Sequence, residues 1–71
     1  MEWVVIKYPR VRDVFINGRR SGATNRILAV AEGTHRFDLG VPCDYCPDRR
    51  IITVTETSDG APMNIEFTPA A

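Results

Sequence analysis

This sequence is poor in the side chains that usually do chemistry. It holds one histidine, His35, and two cysteines, Cys43 and Cys46, and its nine basic residues balance nine acidic ones. Zero net charge lacks the basic excess that phosphate neutralisation requires of a nucleic-acid binder. No apolar run approaches the ~20 residues that span a bilayer, so membrane insertion is not expected. Met1-Glu2-Trp3 lacks a basic stretch ahead of an apolar one, and no signal peptide is read there. The expected compartment is therefore the cytoplasm if Met1 is the native start. There is no phosphate-binding loop and no cofactor motif. Ser21 and Ser58 have no base and acid at an informative spacing, so no catalytic set is expected and the chain is read as non-enzymatic.

A helical period is also missing. What is present is a series of short β-branched and aromatic runs cut by turn residues. Six runs predict strands: Glu2–Tyr8, Asp13–Asn17, Arg26–Ala31, His35–Leu39, Arg50–Glu56 and Met63–Thr68. His35, Phe37 and Leu39 alternate with Arg36 and Asp38, and Met63, Ile65 and Phe67 alternate with Asn64 and Glu66, as strands with one wet face do. Asn17-Gly18 predicts a tight hairpin, because a type I′ turn needs positive φ at both central residues. Glu32-Gly33 predicts a second hairpin, and Thr57-Ser58-Asp59-Gly60 a further turn. Arg19 to Asn25 reads as a polar connection, Gly40 to Arg49 as a loop, and Pro69-Ala70-Ala71 as a tail. With 71 residues and 44% hydrophobic composition, residues 1–71 make one domain with a thin core and no deep pocket. The fold class expected is all-β, a small antiparallel β-sandwich of about six to seven short strands.

The order of these motifs resembles a PEGA domain from Pro9 to Phe67. Val14-Phe15-Ile16-Asn17-Gly18 is similar to the strand that runs into Asn-Gly or Asp-Gly in that family. Gly22-Ala23-Thr24-Asn25 resembles its Gly-x-Thr-Pro step, with Asn25 where proline is usual. Val30-Ala31-Glu32-Gly33-Thr34-His35-Arg36-Phe37 resembles the Pro-x-Gly-Thr turn, and Tyr45 the loop tyrosine, here without the usual preceding glycine. The resemblance implies a compact sandwich used as an accessory module in bacterial and archaeal proteins, associated with the cell envelope and with carbohydrate or protein contact. It implies no catalytic residues and no cofactor.

Three surfaces remain as candidates. Cys43-Asp44-Tyr45-Cys46 has the spacing of a redox or metal pair. Pro47 follows, though, and no helix is predicted to lower a thiol pKa. A metal on Cys43 and Cys46 would need His35 or a second subunit to complete it. His35 itself, on an apolar strand face, is expected to be packed and hydrogen-bonded. Arg10, Arg12, Arg19, Arg20 and Arg26 crowd the first third, as a patch for an acidic partner or as edge charges that discourage strand pairing. Phe15 and Tyr45 are aromatics that a thin core could leave outside, and with Arg19 and Arg20 they make the expected binding surface. The expected function is contact with another protein or with a second copy of the chain, as a homodimer. A carbohydrate-binding module and a metal- or redox-responsive module are the alternatives.

Overall fold

Each of the six runs expected to be a strand forms one. In the computed structural model, which describes residues 1–70, these are β1 (Glu2–Lys7), β2 (Asp13–Ile16), β4 (Ile27–Val30), β5 (Gly33–Asp38), β7 (Arg50–Val54) and β8 (Met63–Glu66). Three more were not expected: β3 (Arg19–Ala23), β6 (Tyr45–Cys46) and β9 (Thr68–Pro69). Ala71, the end of the expected tail, lies outside the described residues. No helix occurs among the described residues, so none is long and apolar enough to cross a membrane.

The strands form three sheets, in the orders β4-β1-β8, β3-β2-β5-β7 and β6-β9. Alternation along the two larger sheets sends one side of each into a common core. Val4, Ile6, Val30 and Ile65 enter it from the three-stranded sheet, and Val14, Ile16, Phe37 and Val54 from the four-stranded one. The result is the small β-sandwich that the alternation predicts. One pairing departs from the antiparallel expectation. β1 and β8 run parallel, with Val4 opposite Met63 and Ile6 opposite Ile65. Phe67 N carries that ladder one step further to Lys7 O, at 2.9 Å.

The turn at Asn17-Gly18 is a two-residue hairpin between β2 and β3, with φ of 54° and 83°. That geometry makes β3. The turn fixes its register on β2, and ladder bonds then hold a polar Arg-Ser-Gly segment that side-chain pattern alone reads as a connection. Glu32-Gly33 is not the hairpin expected. β4 pairs only with β1, whereas β5 pairs with β2 and β7, so these residues carry the chain from one sheet to the other.

Thr24 and Asn25 hold the corner at residues 8–12. Asn25 Nδ2 donates to Tyr8 O at 2.8 Å, and Asn25 Oδ1 accepts from Tyr8 N at 3.1 Å. Asn25 N reaches Ile6 O at 2.7 Å. One amide side chain thus stands in for a strand neighbour beside Tyr8. Asn25 does this at φ 65°. Asparagine tolerates that conformation and proline cannot adopt it. At the far end of β1, Glu2 accepts from both Thr57 N and Thr57 Oγ1, bonds that hold its carboxyl below the ordinary range.

Candidate functional site

Tyr45, expected at the surface, is buried. Its ring is 5% exposed and packs edge-on against Phe67, with centroids 5.6 Å apart. Its hydroxyl donates to Gly40 O at 2.9 Å and accepts from Leu39 N at 3.2 Å. Burial pushes the phenol pKa up. A hydroxyl on a rigid ring can fill a core position and still satisfy two backbone groups, which is why this residue sits inside.

Arg12 closes the same segment from outside. Its guanidinium lies over the rings of Tyr8 and Tyr45, 5.9 and 5.1 Å from their centroids. It donates to Pro42 O at 2.8 Å, to Leu39 O at 3.3 Å, and to Asp44, with which it forms an ion pair. Partial burial opposes its charge, but the bond and charge of Asp44 outweigh that and raise the pKa of Arg12. Arg12 is therefore a clamp on residues 39–44, and it leaves the arginine cluster expected from the sequence. Arg12→Lys keeps the charge and loses the planar fork, so a cost of about 1–2 kcal/mol is expected. Faster amide exchange confined to residues 39–44 would show it; uniform change across all strands would refute the clamp.

The other expected site residues do not converge. His35 is hydrogen-bonded at both ring nitrogens, to Asn17 Nδ2 at 3.0 Å and to Ala31 O at 2.7 Å. Tyr45 and Cys46 are successive strand residues and face opposite ways. Cys43 lies on Tyr45's side, in a depression of about 290 Å³ that Cys46 does not line. Among the described residues no three His, Cys, Asp or Glu side chains come together as a metal site, and both cysteines are free and exposed. The depression also holds Arg36, Asp38, Asp48 and Arg49, with Asp48 and Arg49 3.6 Å apart. Its charges compensate each other.

Phe15 faces outward from β2 but is only half exposed. Gly40 lies over it so closely that a Cβ there would sit 2.5 Å from the ring. With Tyr8 and Tyr45 buried and Phe15 roofed, no flat aromatic platform for a sugar ring is assembled from these residues. Arg19 and Arg20 are exposed on β3, an outer strand, and Arg20 Nε pairs with Asp13 Oδ1 at 3.1 Å.

The four edges of the two larger sheets differ sharply. β3 carries two arginines, and the register between β2 and β3 shifts at Val14/Phe15. β7 and β8 are linked by one side-chain bond, in which Arg50 Nη1 donates to Glu66 O at 3.1 Å. β8 also follows Pro62 and contains Glu66. Charge, proline and irregular register all discourage a further strand. β4 has none of them. Its sequence is Ile27-Leu28-Ala29-Val30, and it has β1 on one side and no strand on the other. The register places Ala29 beside Trp3 and Ile27 beside Val5, on the outer face of the sheet. Val5 is 7% exposed there and Ile27 is 52% exposed. The sequence signal for this surface is that Ile27 to Ala31 offers no polar residue to either face, unlike Gly33–Asp38.

Comparison with described protein families, with curated proteins and with solved structures finds no match to the chain.

Proposed function

We propose that this domain is a non-enzymatic interaction module that takes up a partner's strand along β4. The observation that carries this reading is the contrast between β4, bare and apolar, and the other three edges, each charged, irregular or bridged. An added strand would satisfy the free backbone groups of β4 and extend the apolar outer face formed by Trp3, Val5, Ile27 and Ala29. The turn order shared with PEGA domains supports the same reading, since the family this chain resembles is one of accessory modules.

Trp3, the one tryptophan, reports on the site from the neighbouring strand. Extended apolar peptides added to the protein are expected to shift its fluorescence. Ile27→Lys should abolish the shift, because a charged side chain then sits on the docking face. Ile51→Lys, at a 66% exposed position on β7, should leave it intact. Equal responses in the two variants would remove β4 as the site.

A further inference from the structure

We propose that the partner strand is β4 of a second copy of this chain, paired antiparallel about a two-fold axis that passes beside Ala29. The proposal rests on the reading of β4 as an open edge. It adds a partner and a register.

Parity and charge select the register. For the two outer apolar faces to join into one, residues paired across the axis must point to the same side. In an antiparallel pair that requires each residue to meet one of the same parity. Few registers satisfy this along so short a strand. With Leu28 at the centre, Arg26 falls opposite Val30 of the other copy. With Val30 at the centre, Leu28 falls opposite Glu32. Both put a charge against an inward-facing aliphatic residue. With Ala29 at the centre, Leu28 meets Val30 and Arg26 meets Glu32, twice, once at each end of the joint. Arg26 and Glu32 lie at the bends that flank β4, beyond the ladder itself, and both are exposed. Neither belongs to an ion pair among the described residues. Glu32 Oε2 accepts from Thr55 at 2.7 Å, and its carboxylate retains further acceptor sites for a guanidinium. The small side chain of Ala29 lets the two strands meet at the axis, with Trp3 of each copy flanking it on the outer face. The joined sheet would have six strands, β8-β1-β4 followed by the same three in reverse, and the open edge of β4 would disappear.

Sedimentation velocity over a range reaching millimolar protein tests this. The wild type is expected to pass reversibly from monomer to dimer. Arg26→Glu and Glu32→Arg each place like charges at both ends of the joint, and each should weaken dimerisation on the order of tenfold or more. The double exchange restores opposite charges and should bring the wild-type equilibrium back to within a few-fold. Both positions are exposed, so the variants should fold, as circular dichroism will show. A dimer indifferent to the single exchanges, or not recovered by the double one, overturns the register. A wild type that stays monomeric overturns the homodimer. In that case a persisting Trp3 response to extended peptides leaves the open-edge reading standing, and loss of that response ends both.

Discussion

Phe37→Ala is expected to cost about 3–5 kcal/mol of folding stability, the range for emptying a fully buried aromatic position. Phe37 is 0% exposed and sits near the end of β5, opposite Ile16 on one side and Arg50 on the other. Its ring meets His35 edge-on at 6.1 Å. A domain of this length has in total about 4–10 kcal/mol to lose, at ~0.05–0.15 kcal/mol per residue. The melting temperature should therefore fall by ~15 °C or more. Phe37→Leu keeps most of the volume and should cost under about 1.5 kcal/mol. Ile51→Ala, at an exposed β7 position, should change stability by less than about 0.5 kcal/mol. Urea unfolding of the three variants gives the comparison. A loss below about 1 kcal/mol for Phe37→Ala would mean that the two sheets do not pack on this ring.

The same residue shows why so much of the sandwich could be read in advance. Phe37 and Leu39 alternate with Arg36 and Asp38, and this period-two pattern is a local consequence of having one wet face. Asn17-Gly18 was equally legible, because its positive φ values are a property of those two residues. Sheet membership was not legible. Glu32-Gly33 looks like a hairpin turn but joins two sheets, because β4's place beside β1 is decided by packing over the whole chain. The burial of Tyr45 is illegible for a related reason. Its place in a short loop suggests a surface position, yet Leu39, Gly40 and Phe67 draw the ring inward. The arginines do not act as one group, and the role of Arg12 is neither of the two readings given to them. Arg19 and Arg20 guard an edge, while Arg12 clamps a loop. β4 was read as an ordinary strand, and its exposure became visible only once the other three edges were seen to be occupied or protected.

Thr24→Val is expected to be nearly as damaging as the loss of the core phenylalanine, although it changes almost no volume. Thr24 is 0% exposed, and its hydroxyl serves two backbone groups at once. It donates to Arg10 O at 2.7 Å and accepts from Arg12 N at 2.9 Å, while Thr24 N reaches Arg12 O at 2.9 Å. Valine fills the same space and leaves Arg10 O and Arg12 N without their partner, at a combined cost of about 2–4 kcal/mol. Thr24→Ser keeps the hydroxyl and loses only a buried methyl, so a cost near 1 kcal/mol is expected. The order of the two variants decides the matter. If valine is tolerated better than serine, packing rather than hydrogen bonding governs the site. The damage should also travel. Arg12 takes its backbone position from Thr24 and carries its side chain to Leu39, Pro42 and Asp44. Thr24→Val should therefore speed amide exchange in residues 39–44 as well as 8–12, and combining it with Arg12→Lys should cost less than the sum of the two changes. Full additivity would show that the Thr24 corner and the Arg12 clamp act independently, and that the link drawn between them through the backbone of Arg12 does not exist.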